Sequence, residues 1–153
     1  MGWLSLHARS GLFGEAERVY GAREMRAADH KATAAGQTVY PGWSPAVRAK
    51  AAESSFALPL DGDALDSPAR THYPDLVLVY PQGRVAMELQ LTPIGRRPLE
   101  ATLTAYALKL SIAAVVYLVQ DGAIGAAVQA AAARLGLARH IHVQRVSLDP
   151  AAR

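Results

Sequence analysis

Cysteine is absent from this sequence of 153 residues, and so is asparagine. Without cysteine there is no disulfide framework, no zinc–thiolate site and no thiol nucleophile. Without asparagine there is no acceptor for N-glycosylation. Lysine is scarce too: 3 lysines stand against 13 arginines, and Lys109 is the single lysine of the second half. No apolar run approaches the roughly eighteen residues of a membrane-spanning helix. The start, M-G-W-L-S-L-H-A-R, has no basic stretch leading into an apolar one and does not read as a secretory signal. These absences leave a cytoplasmic protein with no membrane partner as the expectation. An abrupt start in a helical, charge-balanced stretch is also what one domain cut from a longer protein would show.

Apolar residues make up 51% of the chain and charged residues 19%, the composition of a globular protein. The 31 alanines and the excess of arginine over lysine have the look of a GC-rich genome. The length suits one domain over residues 1–153, with N-terminal helices and loop in 1–69 and a more sharply patterned core in 70–146. The net charge of +3 sits wholly in the second half. Residues 1–74 balance eight basic against eight acidic side chains, whereas residues 75–153 hold eight against five. That is a mild pointer to a polyanionic partner and no dense basic stripe.

The N-terminal part reads as helical. Glu15–Lys31 forms an amphipathic pattern with a break at Gly21, and Ser44-Pro45 opens a helix over Ala46–Glu53. Phe56-Ala57-Leu58 reads as a short strand, and Pro59–Pro74 as a loop rich in proline and aspartate. Beyond it, Leu76–Tyr80 and Val85–Leu91 flank Pro81-Gln82-Gly83-Arg84 and predict an antiparallel hairpin. Pro98 opens a helix to about Leu110, with Leu99, Leu103, Tyr106 and Leu110 on one face. Ala113–Val119 reads as a strand buried on both faces. Ala123–Leu135 is a helix ended by Gly136, and Ile141, Val143 and Val146 mark a last strand. The fold class that follows is α/β, a mixed sheet with helices on both sides.

The hairpin gathers acids. A turn centred between Gln82 and Gly83 sets Asp75 opposite Gln90 and Val77 opposite Glu88. Directly opposed residues share a sheet face, as do residues two apart on one strand. Asp75, Glu88 and Gln90 then point one way, within about 7 Å, two strand rises. Leu76, Leu78, Tyr80, Val85, Met87 and Leu89 point the other. Two converging carboxylates repel, and burial raises the cost. A divalent cation relieves both, and magnesium accepts one or two carboxylates while keeping waters and taking phosphate oxygens. The plainer reading of the same face is the solvated side of an edge hairpin. A slip of one residue in register would put the acids on opposite faces.

P-D-L-V-L-V at 74–79, a step of thirteen residues and E-L-Q at 88–90 resemble the PD-(D/E)XK nuclease signature, with glutamine in the lysine place. The helix, buried strand and helix that follow agree with that fold's order, and the earlier helix and short strand (about 15–31 and 56–58) would complete its core. The resemblance implies a restriction-endonuclease-like fold and a metal-dependent DNA endonuclease using Mg2+ or Mn2+. Asp75 and Glu88 would be metal ligands and Gln90 would orient the attacking water. H-Y-P-D through E-L-Q-L-T, the arginine pair and the tyrosine-containing helix also resemble the replication-relaxation proteins of actinobacterial plasmids and mobile elements. The resemblance covers roughly residues 70–140 and implies DNA as partner, with a homodimer or an attached DNA-binding domain completing the grip. A neutral amide brings no charge to the reaction, so a catalytically inactive DNA-binding or assembly module is the alternative. Some members of the superfamily move the lysine to the following helix, where Lys109 lies on the flank of the apolar stripe.

Arg96 and Arg97 open that helix and are placed to meet phosphate oxygens, or are a solvated loop. His72 approaches the metal or substrate, or is polar surface in a loop. Glu15, Glu17 and Glu24 are each candidates for a further acid from the first helix. His140 and His142 share a strand face without a nearby acid. Asp121-Gly122-Ala123 reads as a capped strand-to-helix turn, since no Gly-Lys-Ser/Thr follows. No G-x-S-x-G nucleophile motif occurs.

Overall fold

A computed structural model describes residues 16–32, 55–60 and 71–147. The helix expected over 46–53 lies outside them. The chain runs β1 (Arg18–Gly21), α1 (Ala22–Ala32), β2 (Leu58–Pro59), β3 (Thr71–His72), β4 (Leu76–Tyr80), β5 (Gly83–Gln90), α2 (Arg96–Leu108), β6 (Ile112–Val119), α3 (Gly122–Arg134) and β7 (Ile141–Arg145). Five strands form one mixed sheet in the order β1-β4-β5-β6-β7. β1, β4 and β5 run antiparallel, and β5, β6 and β7 run parallel. The parallel half is what two strand–helix–strand crossovers produce.

The first expected helix is corrected at its start, because Arg18–Gly21 is an edge strand and the helix opens only at Ala22. Val19 and Tyr20 favour an extended chain, and Gly21 is a poor helix former. Glu24 then reaches back, its Oε2 accepting the Gly21 amide at 2.8 Å, which closes the new helix start. The short strand near 56–58 is also reassigned. Leu58–Pro59 pairs with Thr71–His72 in a separate two-stranded sheet, and β1 takes the place beside β4. Asp29 of α1 ties this corner together. Its carboxylate accepts from Ser55 Oγ at 2.7 Å, the Phe56 and Ala57 amides and Tyr73 Oη at 3.0 Å, which anchors the chain beside His72.

The hairpin closes one residue earlier than expected. Tyr80 pairs with Gly83, so Pro81 and Gln82 alone make the turn and Val77 faces Ala86. Proline suits the first central turn position, and Gly83 takes a φ of 148° that side chains disfavour. The partner shift is two residues, and an even shift keeps every side chain on its face. One face carries Leu76, Leu78, Met87 and Leu118, buried together. The other carries Val77, Ala86, Val115, Tyr117 and Val119, and against it pack Met25 of α1, Leu99, Leu103 and Tyr106 of α2, and Ile124 and Val128 of α3.

Helices on both sides were expected; among the described residues all three pack on this second face. α3 approaches closely because Gly125 has no side chain. A Cβ there would stand 3.0 Å from Val143 and 3.2 Å from Val119. β6 is buried on both faces only over Tyr117–Val119, with Ala113 exposed. α2 ends at Leu108, not Leu110, and this inverts the expected burial: Leu110 is 84% exposed and Lys109 only 7%. Lys109 leaves helical geometry so that the chain can turn into β6, its carbonyl accepting the Ile112 amide at 3.0 Å.

Candidate functional site

The helix-covered face carries Arg84 near the turn, its guanidinium 4.4 Å from the Phe56 ring centroid, then an apolar middle before the open end of the hairpin. There Glu88 stands between Tyr117 of β6, its partner in register, and α2 above it. It is 7% exposed, so its carboxylate needs donors. Two supply them at the same oxygen. Tyr106 Oη donates to Oε1 from α2, and His72 Nε2 meets Oε1 at 2.5 Å from β3. Continuing the hairpin register one residue beyond Leu76 sets Asp75 directly across from Glu88. Asp75 is held there by the Leu89 amide, which donates to Oδ2 at 2.8 Å. Oε2 of Glu88 and Oδ1 of Asp75 take no hydrogen bond from the described residues. The acids therefore share one face, as expected, although Glu88 and not Gln90 is Asp75's opposite.

Electrostatics follow from this crowding. Burial lowers the His72 pKa, but the hydrogen bond and charge of Glu88, with Asp75 behind it, outweigh that and raise it above the ordinary 6.5. His72 thus tends toward an imidazolium paired with Glu88. Burial, then the Glu88 charge, pushes the Tyr106 phenol well above its ordinary value. Tyr117 is raised in the same way by burial and by both acids. Both phenols keep their protons, and Tyr106 donates its own to Glu88.

Beside Glu88 lies a cavity of about 470 Å³ lined by His72, Glu88, Gln90, Arg97, Thr102 and Tyr117, with Leu60, Ile94, Pro98 and Leu99 as apolar walls. Its size is that of a pocket enclosing one small molecule, roughly 300–1,000 Å³. Comparison with protein-family models, curated proteins and solved structures finds no match.

The cavity sorts the expected residues. Glu88, Gln90 and Arg97 line it. Asp75 does not, although it sits across from Glu88. Gln90 donates from Nε2 to the Thr92 carbonyl at 2.5 Å, which leaves its amide oxygen as the group that can hold water. Arg96 turns instead to Glu100, which also binds Arg134, each Nε at 2.9 Å. Lys109 caps the far end of α2, away from the cavity lining. Glu24 serves the start of α1, Glu17 is exposed, and Glu15 lies outside the described residues. His140 sits in the turn before β7 and His142 is exposed on it. Asp121 caps α3 as expected, accepting the Ala123 amide at 2.7 Å.

Among the described residues no three histidine, aspartate or glutamate side chains are spaced to hold a metal ion together. The carboxylate oxygens on this face that take no hydrogen bond from the described residues are accordingly few: Glu88 Oε2 and Asp75 Oδ1. Magnesium tolerates that sparse set; zinc or calcium would want more protein ligands.

His72 and Tyr106 exceed their reading from sequence. His72 was expected in a loop and lies in a strand, because Asp29 fixes Tyr73 beside it. Tyr106 was placed among apolar residues, yet a buried phenol must find an acceptor. That rule was the available signal, since Glu88 is the buried carboxylate that meets it.

Proposed function

We propose that the cavity is a magnesium-dependent phosphodiesterase site acting on DNA, in the manner of the PD-(D/E)XK nucleases that residues 74–90 resemble. The observation that carries the proposal is Glu88: a buried carboxylate, opposite Asp75, opening on a cavity that also holds Arg97 and the Gln90 amide. Bound magnesium, held by Asp75 and Glu88, would supply the charge that eases ionisation of a water and stabilises a phosphate under attack. The chain's own residues do the rest. His72 and Tyr106 fix the Glu88 carboxylate by its Oε1 and leave Oε2 directed by that grip. The Gln90 amide oxygen orients water, and Arg97 binds a phosphate oxygen as a charged donor. A grip on longer DNA comes from a second copy or an attached binding domain, and the replication-relaxation resemblance sets the activity in plasmid or mobile-element processing.

One observation favours a second reading, a non-catalytic DNA-binding or assembly module: among the described residues no lysine lines the cavity. Incubating supercoiled plasmid with Mg2+ or Mn2+ distinguishes the two. Cleavage by the parent protein, lost in Glu88→Ala and in Asp75→Ala, is the expected result. Salt-sensitive binding without cleavage establishes the second reading and removes the first.

A further inference from the structure

Glu88 is deep, and a DNA duplex is stiff over lengths far beyond one domain. A relaxed duplex laid across the cavity keeps its phosphodiesters at the outer surface, whereas negative supercoiling in a plasmid opens unpaired stretches. An unpaired strand can lower one nucleotide inside, because its bases are free to unstack. A second hollow of about 140 Å³ adjoins the first, shares Ile94 and Leu99 with it, and is otherwise lined chiefly by Pro93, Asp121, Ala127 and Val128 at the junction of α2 and α3. It is mostly apolar, has room for one planar ring, and carries a carboxylate at which an exocyclic amine can donate. The Arg96–Glu100–Arg134 group bridges the same two helices. Each arginine binds Glu100 through Nε, which leaves the outer guanidinium nitrogens for phosphates.

Resting on the reading above, we propose that the substrate is single-stranded DNA. One nucleotide enters the Glu88 cavity, and the base of its neighbour seats in the hollow between α2 and α3. Arg96 and Arg134 follow the strand's phosphates outward.

The test compares a fluorescein-labelled oligodeoxycytidylate, whose bases carry an exocyclic amine, with a blunt duplex of the same length by fluorescence anisotropy, without a divalent cation so that neither DNA is cut. The single strand is expected to bind about tenfold more tightly, the order of one seated base. Ala127→Trp fills the hollow and should bring single-strand binding down to the duplex level while the calorimetric heat of Mn2+ binding is unchanged. If that variant does not fold, Ala123→Trp, at another exposed position that lines the hollow and not the first cavity, carries the same expectation. Equal binding of duplex and single strand, or a folded Ala127→Trp protein that still prefers the single strand, overturns the proposal. Preferential single-strand binding with no Mn2+ heat, or with heat that survives Glu88→Ala, keeps this proposal and removes the metal-dependent activity. Binding to neither DNA removes both.

Discussion

α2 and α3 are each thirteen residues long, each follows a strand of the parallel half-sheet, and both pack on the same face. Their buried positions differ in kind. α3 buries Ile124, Gly125, Val128, Ala131 and Ala132 and starts under a side-chain cap from Asp121. α2 buries Thr102 and Tyr106 among its leucines and starts at Gly95 with no side-chain cap. Thr102 bonds back to the Pro98 carbonyl at 3.1 Å, a local arrangement that does little for helix stability. One helix follows every packing rule; the other breaks several, and each breach lies beside the cavity. Departures from local consistency of this kind tend to mark chemistry.

The contrast can be broken at four points. Tyr106→Ala removes a fully buried ring and one of the two donors to Glu88, and should cost about 3–5 kcal/mol in urea denaturation. A much smaller loss would mean that α2 is not organised around that phenol. Gly125→Val attacks α3 through packing alone. With 3.0 Å to Val143 there is no room for a branched side chain, and about 1–3 kcal/mol should be lost without change in Mn2+ binding. Asp121→Ala removes the cap of α3 and should cost about 1 kcal/mol, read from the same denaturation midpoint.

The smallest effect concerns pH. His72 has a folded pKa raised above 6.5, so the folded state holds its proton more tightly than the unfolded state. That stabilisation is complete below pH 6.5 and is lost as pH climbs through the raised value. Thermal stability should therefore decline across that window, and His72→Gln should flatten the decline. A wild-type profile that rises there would contradict the pairing of His72 with Glu88.

Much of the parallel half was legible in the sequence because its signals are local. Pro98 near the start of α2, Asp121 as a cap and Gly136 past the end of α3 are each a backbone requirement met by one residue. The faces of the hairpin were legible as well, since strand alternation survives a register error of two. What escaped reading depends on contacts distant in sequence. Arg18–Gly21 completes its strand against the edge that β4 offers. The burial of Lys109 follows from where α2 must stop to enter β6. In the candidate site, Asp75, Glu88 and Gln90 could be placed on one face from spacing, whereas His72 reaches Glu88 through a corner that Asp29 builds from residues 26 to 44 positions away. No periodicity encodes that.

β5 occupies the middle of the five-stranded sheet, bonded to β4 on one edge and β6 on the other. Its amides should be among the slowest in the molecule to exchange with deuterium, because they open only when the sheet itself comes apart. Glu88 and Gln90 are thus mounted on the least deformable strand available. Any adjustment on meeting a ligand falls to the partners around them: the turn of α2 behind Arg97, the short β3 strand with His72, and rotations of side chains.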